Sequence, residues 1–166
     1  MSKKVLFIGL DGSTFDVLDP LMQKGLMPRL EAFIGEGVRG WLETTIPPIT
    51  PTAWVSWMTG KNPGKHGVFE FLLRRKGSTA MPDQPVSARA RDGLPFWDVL
   101  GQMGKRAIVT NMPCTYPPTM VNGVMVADFL INENEHFSSR QTQRVCTGFI
   151  CSIENCNSAI SHRIHA

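Results

Sequence analysis

The run KVLFIGLDG at residues 4–12 is the first indication of the fold class. Its apolar part extends from Lys4 to Leu10 and is followed at once by Asp11 and Gly12. A short apolar run that ends in a turn is typical of a buried β-strand. The chain is therefore expected to begin with a strand whose end carries an acidic side chain.

Helices and strands alternate along the following residues. Apolar spacing predicts two short helices within Phe15 to Gly37, the second starting at Pro28, a helix over Pro51 to Thr59 with Thr50 as N-cap, and a helix over Pro95 to Met103. Short apolar runs predict further strands at Val38 to Ile46, Lys105 to Thr110 and Val121 to Phe129, while Leu72 to Gly93 is predicted as a polar loop. This order predicts a three-layer α/β domain with a mainly parallel sheet.

Composition excludes several classes of protein. With 166 residues, 42% of them hydrophobic and 19% charged, the chain is expected to form one globular domain or part of one. A net charge of +3 with scattered Lys and Arg does not indicate a nucleic-acid partner. No apolar stretch approaches the length that crosses a bilayer, so no membrane is expected. Four Cys without an export signal predict reduced thiols and a cytoplasmic protein.

The composition changes near residue 130. All twelve Pro and fourteen of the fifteen Gly lie before residue 131, whereas three of the four Cys (Cys146, Cys151 and Cys156) lie after it. Residues 1–130 are therefore predicted to be the N-terminal part of a domain, and residues 131–166 an atypical tail. The tail is interpreted either as a natural extension or, preferably, as the product of a shifted reading frame. A disordered tail is a further alternative. Its Cys spacing does not match a zinc ribbon.

Two polar residues stand where α/β proteins bind ligands, beyond the carboxyl ends of strands. Asp11 follows the first predicted strand, and it either caps the next turn or offers a hard oxygen ligand to a divalent cation. Thr50 begins a predicted helix, where backbone N–H groups and the helix dipole favour phosphate. Thr50 is either a simple N-cap or a nucleophile, because a bound divalent cation lowers the pKa of a hydroxyl.

Other motifs are weaker indications of a functional site. The segment GKNPGKHG at 60–67 resembles a phosphate-binding P-loop, but only three residues separate its first two glycines and His66 follows the Lys. An ATPase is therefore not predicted. His66 is expected to be a turn residue that is hydrogen-bonded to the backbone. Trp54 and Trp57, one helical turn apart, are expected to pack in the core.

Three blocks of sequence together resemble a known family. They are VLFIGLD at 5–11, PPITPTAWVSWMTGKNPGKHGVFEF at 47–71 and TNMPCTYPP at 110–118. They are similar to the type I phosphodiesterase/nucleotide pyrophosphatase branch of the alkaline phosphatase superfamily over about residues 4–130. The resemblance implies an alkaline-phosphatase-like core. It also implies a small phosphoric ester substrate and two divalent metal ions, zinc or alternatively manganese.

The same resemblance implies roles for two residues and limits the function. Asp11 matches a metal ligand of the family, and Thr50 matches the nucleophile and bridging ligand that forms a phospho-threonine. Phe71 stands where nucleotide pyrophosphatases carry an Asn, so the substrate class stays open among monoesters, diesters and nucleotides. The family takes its other metal ligands from later residues of a longer domain. The 166-residue chain is therefore expected to be an inactive N-terminal fragment.

Two further functions remain open from the residues. One is a non-catalytic α/β module that binds phosphate or a partner without a metal centre. The other is a phosphotransferase built on the same superfamily core.

Overall fold

A computed structural model describes residues 4–74, 77 and 79–128 and the backbone of residues 145–147. The chain forms two compact units, Met1–Glu43 and Thr44–Ala166. Within the described part of the chain, no helix is long and apolar enough to span a bilayer.

The described residues of the first unit form two short helices, as the apolar spacing predicted. Helix α1 spans Phe15–Gln23 and helix α2 spans Pro28–Gly35. The side chain of Thr14 caps α1 by accepting a hydrogen bond from the amide of Asp16 at 3.4 Å. Pro28 occupies the first position of α2, where its missing N–H costs no helical hydrogen bond.

A cluster of side chains ties the segment after α2 to α1. The guanidinium of Arg39 donates two hydrogen bonds to the carboxylate of Asp19, at 2.6 and 2.9 Å. The same guanidinium lies over the ring of Phe15, 3.8 Å from its centroid. Phe15 also meets Trp41 edge to face, with 5.2 Å between the ring centroids. A bidentate ion pair and two aromatic contacts thus hold Arg39 and Trp41 against the start of α1.

The strands predicted at Lys4 to Leu10 and at Val38 to Ile46 are not formed. Among the described residues, hydrogen bonding between strands is confined to two sheets that do not include either segment. The apolar side chains of both segments are exposed, namely Val5, Leu6, Phe7, Ile8, Leu10, Val38, Trp41, Leu42 and Ile46. An apolar run indicates that a segment tends to be buried, but a strand also needs a neighbour that pairs with its backbone, and the sequence pattern does not identify one.

The described residues of the second unit form three helices. Helix α3 spans Thr50–Thr59, α4 spans Pro63–His66 and α5 spans Phe96–Gln102. Helix α3 ends as predicted at Gly60, which adopts the left-handed conformation with φ of 66°. Its beginning differs from the prediction, because Ile49 is the N-cap and Thr50 is the first helical residue. Thr50 is therefore a helical residue and not the N-cap.

A small hairpin lies within the segment predicted as a polar loop. Strand β1 spans Leu72–Leu73 and pairs antiparallel with β2 at Gln84–Pro85. The pairing is only two residues long, which is too short to appear as an alternating pattern in the sequence.

The main sheet is parallel, as predicted. Strands β3 at Ala107–Met112, β4 at Gly123–Ala127 and β5 at Val145–Thr147 lie side by side in chain order. The first two confirm the strands predicted from the apolar runs. The third lies in the tail after residue 130, most of which is outside the described residues. Helices combined with a small parallel sheet confirm the α/β class, in an incomplete alkaline-phosphatase-like form.

The core of the second unit brings α3, α5 and the parallel sheet together. Its buried apolar side chains are Val55, Met58, Val68, Val86, Trp97, Val109, Cys114 and Met125. Trp54 and Trp57 are partly buried and pack against this cluster, which confirms their predicted role in packing. Rings of α3 and α5 meet directly, with 5.0 Å between the centroids of Trp57 and Phe96. The position of α3 is thus fixed by the core it shares with the sheet.

We predict that Gly123→Ala destabilises the second unit. Gly123 has φ of 149°, and a Cβ there would lie 1.8 Å from the carbonyl oxygen of Ala107 on the paired strand. The first two strands would have to separate, so the free energy of unfolding should fall by roughly 3 kcal/mol or more, as measured by urea denaturation.

Gly101→Ala is the matched control. This glycine lies inside α5, and a Cβ there would make an ordinary 3.4 Å contact with Asn122. Alanine in a helix interior is more favourable than glycine by about 1 kcal/mol. Equal stability of the two variants would show that the tight approach of β3 and β4 is not required.

Candidate functional site

Thr50 lies at the beginning of α3, in the second unit. Its side chain is partly buried, and the carbonyl of the preceding Ile49 accepts the first helical hydrogen bond, from Ala53, at 3.0 Å. Amide N–H groups in the first turn of a helix have no acceptor within the helix and carry partial positive charge. The Thr50 hydroxyl therefore stands at the end of α3 that favours an anion such as a phosphoryl group.

Asp11 lies in the first unit, at the turn predicted from the sequence. Its carboxylate is exposed, and Gly12 after it has φ of 66°. The turn is thus confirmed, while the strand expected before it is not formed. Asp11 and Thr50 belong to different units, so their joint role in one metal centre remains a prediction.

The described residues do not form a complete metal centre by themselves. Within residues 4–74, 77 and 79–128, no group of three or more His, Cys, Asp or Glu side chains is arranged to hold a metal ion. Protein zinc sites use three or four such ligands. The donor set of the described residues does not fit the two-ion centre that the family resemblance implies.

A buried histidine contacts the helix that carries Thr50. His66, the last residue of α4, is fully buried, and its Nε2 lies 2.8 Å from the hydroxyl oxygen of Ser56 on α3. Its Nδ1 accepts a hydrogen bond from the amide of Val68 at 3.1 Å. The backbone hydrogen bond predicted for His66 is therefore confirmed. The bond to Ser56 was missed, because no short-range pattern links residues ten positions apart across a turn.

The hydrogen bonds determine the protonation state of His66. Nδ1 accepts a bond, so the proton of the neutral ring is on Nε2, from which it is donated to Ser56. Burial lowers the pKa of His66, and the positive charge of Lys61 lowers it further. A hydrogen bond with the backbone of Thr52 raises this pKa by a smaller amount. His66 is thus a neutral group of fixed orientation at neutral pH.

A second set of buried hydrogen bonds lies where β3 and β4 end. The carboxylate of Asp128 accepts a hydrogen bond from the amide of Cys114 at 2.7 Å. The hydroxyl of Thr115 accepts from the amide of Asp128 at 3.1 Å and donates to the carbonyl of Met112 at 2.5 Å. These bonds join the loop after β3 to the residue after β4. Asp128 was predicted to lie within a strand ending at Phe129, whereas the strand ends at Ala127.

Arg91 interacts both with the loop after β3 and with Asp98 of α5. One of its terminal N–H groups donates to the carbonyl of Cys114 at 3.0 Å. Burial lowers the pKa of Arg91 and raises that of Asp98, and attraction between the two opposes both shifts. Burial, together with the charge of Asp128, raises the pKa of the Cys114 thiol to about 12. Cys114 is therefore a packed thiol and not an activated nucleophile.

We predict that the stability of the second unit decreases on acidification through His66. The pKa of His66 is lower in the folded state than its ordinary value of 6.5, so the unfolded state binds more protons below that pH. The contribution of His66 to the free energy of unfolding is therefore complete above pH 6.5 and decreases at lower pH. The total decrease is about 1.4 kcal/mol for each unit by which the pKa in the folded state lies below 6.5.

Urea denaturation between pH 5 and 8 measures this dependence, with His66→Gln as the control that cannot titrate in this range. The variant should show a flatter pH dependence than the wild type. Parallel curves would rule out a contribution from His66.

We predict that Cys114 resists alkylation in the folded chain. A rise in pKa from 9.0 to about 12 lowers the thiolate fraction at pH 8 roughly a thousand-fold, and burial adds steric protection. Peptide mass spectrometry after iodoacetamide treatment, without and with urea, measures the protection of this residue. Rapid labelling without urea would contradict the buried position of Cys114.

Comparison with known proteins agrees with the sequence blocks. No curated protein and no solved structure matches the chain. The family model for type I phosphodiesterase / nucleotide pyrophosphatase matches residues 5–153. This match includes α3 with Thr50, the loop after β3, and the third strand of the sheet beyond residue 130. The chain belongs to the type I phosphodiesterase/nucleotide pyrophosphatase family of phosphoric ester hydrolases.

Proposed function

We propose that this chain is the N-terminal part of a metal-dependent phosphoric ester hydrolase that acts through a phospho-threonine at Thr50. The observation that carries the proposal is the position of Thr50 in the first turn of α3. This helix end favours a phosphoryl group, and the helix itself is anchored by the fully buried Val55 and Met58. A hydroxyl on an anchored helix end has the fixed position that in-line attack requires.

The proposed reaction has two steps. In the first, the Thr50 hydroxyl gives up its proton as its oxygen bonds to phosphorus, the bond from phosphorus to the ester oxygen breaks, and the leaving alcoholate takes up a proton. In the second, the oxygen of water bonds to phosphorus, the bond from phosphorus to the Thr50 oxygen breaks, and a proton from that water restores the Thr50 hydroxyl as the phosphate product leaves. Amide groups at the start of α3 stabilise negative charge on the phosphoryl oxygens in both steps.

Members of the family generally use divalent metal ions, which lower the pKa of a hydroxyl and hold phosphoryl oxygens. We propose zinc, with manganese as the alternative, and Asp11 and Thr50 as the ligands supplied by this chain. Two ligands are fewer than the three that zinc sites normally require. We therefore propose that the 166-residue chain is inactive by itself.

The proposed substrate is a small phosphoric ester. Phe71, 41% exposed, occupies the place where nucleotide pyrophosphatases carry an Asn. A simple monoester, a diester and a nucleotide are therefore all candidate substrates. The net charge of +3 gives no support to a nucleic-acid substrate. We also propose a cytoplasmic location.

A non-catalytic phosphate-binding module is the second candidate. It is favoured by the finding that the described residues hold no group of three metal-binding side chains. Such a module would keep the helix end at Thr50 and bind phosphate without turnover.

A turnover assay tests the chain as it stands. With bis(4-nitrophenyl) phosphate or 4-nitrophenyl phosphate and added zinc or manganese, the wild-type chain should release no more nitrophenolate than Thr50→Val. Higher release by the wild type would overturn the proposed inactivity and would support Thr50 as the nucleophile.

A chimera tests the role of Thr50 directly. Residues 1–128 are joined to the remaining, ligand-bearing part of the domain from another member of the family. If this chimera turns over substrate, Thr50→Val should lower the rate at least roughly a thousand-fold, as expected for loss of a nucleophile.

Thr52→Val is the matched control on the same helix. The Thr52 hydroxyl is fully buried and has no hydrogen-bond partner within the described residues, so valine replaces it without losing a bond. Equal losses in the two variants would contradict the assignment of Thr50.

A further inference from the structure

We propose that His66 is a positioning residue that sets the rotation of α3 and thereby the direction of the Thr50 hydroxyl. This inference rests on the proposed function of Thr50. Its structural basis is the hydrogen bond from Nε2 of His66 to Ser56, at 2.8 Å, in the middle of α3.

Apolar packing alone does not determine the rotation of this helix. Val55 and Met58 are buried on one side of α3, but apolar contacts are nearly independent of direction. A hydrogen bond, in contrast, weakens steeply when its angle departs from linearity. The bond to Ser56 therefore adds a directional contact between α3 and His66 to the apolar packing of the helix.

His66 is itself held from several sides. Its Nδ1 receives the amide of Val68 at 3.1 Å, and its carbonyl oxygen accepts from the amide of Asp92 at 2.9 Å. Asp92 also pairs with Lys61, at 3.3 Å between Nζ and Oδ1, on the turn between α3 and α4. The imidazole consequently presents its Nε2 proton to α3 from a fixed position.

Small changes in the direction of Thr50 would affect phosphoryl transfer strongly. A displacement of about 1 Å at a reacting group can lower a rate roughly a hundred-fold. Thr50 lies less than two helical turns from Ser56, so a rotation of α3 at Ser56 reaches the hydroxyl undiminished.

Two variants separate the nitrogens of His66. The amide nitrogen of glutamine reaches the position of Nε2, so His66→Gln keeps a donor to Ser56 and loses the acceptor for Val68. The amide oxygen of asparagine reaches the position of Nδ1, so His66→Asn keeps the acceptor and loses the donor. Ser56→Ala removes the same bond from the other side, while Ser56→Thr retains the hydroxyl.

The experiment uses the 166-residue chain labelled with 15N and studied by NMR. Ring resonances of wild-type His66 should show a neutral imidazole protonated on Nε2. Amide exchange at residues 53–57 should be near the wild-type rate in His66→Gln and Ser56→Thr. It should be faster by roughly five-fold in His66→Asn and Ser56→Ala, as expected for the loss of one hydrogen bond.

Three results would overturn the positioning role. They are a ring protonated on Nδ1, equal exchange in the Gln and Asn variants, and faster exchange in the Gln variant than in the Asn variant. If neither His66 variant folds, the comparison of Ser56→Ala with Ser56→Thr decides the question, and equal exchange in these two would overturn the proposal.

A titration with inorganic phosphate separates this proposal from the function on which it rests. Phosphate should shift the amide resonance of Thr50 in the wild type and in His66→Gln, with several-fold weaker binding in His66→Asn. No shift in the wild type would contradict the phosphate site at α3, while the exchange rates would still decide the role of His66. Equal phosphate binding in all variants would contradict the positioning role of His66 but not the phosphate site at α3.

Discussion

The burial of Val55 and Met58 of α3 in one cluster with Val109 of β3 and Met125 of β4 is the contact on which the second unit depends. Full burial of such a side chain contributes roughly 1.5–3 kcal/mol. These side chains connect a helix from the first half of the described chain to strands from the second half. The position of Thr50 at the beginning of α3 is a consequence of this packing. Thr50 itself does not belong to this apolar cluster.

Two buried polar groups complete what the apolar core leaves undetermined. His66 and Ser56 connect α4 to α3, and Asp128 connects the end of β4 to the loop after β3. Buried polar atoms are costly unless they are hydrogen-bonded, so each such group is compatible with few arrangements of its neighbours. Apolar burial stabilises the unit, and these directional bonds select one geometry at the helix and one at the sheet edge.

Two of the three family-like blocks of sequence correspond to these same places. The block at 47–71 forms α3, α4 and the turn between them, and includes Thr50, Ser56 and His66. The block at 110–118 forms the end of β3 and the loop held by Asp128. The two blocks thus surround a shared core rather than a continuous surface of catalytic side chains. Among the residues of these blocks, His66 and Cys114 are buried and held in neutral forms.

Sequence patterns predicted much of the local structure. They placed both helices of the first unit, α3 and α5, the stop at Gly60 and the first two parallel strands, because apolar spacing, proline and glycine act on the backbone over a few residues. They also predicted Thr50 at a helix end and, by resemblance, the family. The strands predicted at Lys4 to Leu10 and Val38 to Ile46 failed, because a strand depends on a distant partner that no local pattern specifies.

The sequence by itself determined the family, the α/β class and the beginning of α3 to within one residue, since these follow from short-range patterns and motif order. Only the tertiary structure decided that His66 donates to Ser56 and that Asp128 holds the loop at Cys114. The physical reason is that each of these bonds joins residues ten or more positions apart. Such pairs come within hydrogen-bonding distance only after the apolar core has packed the helices and strands together.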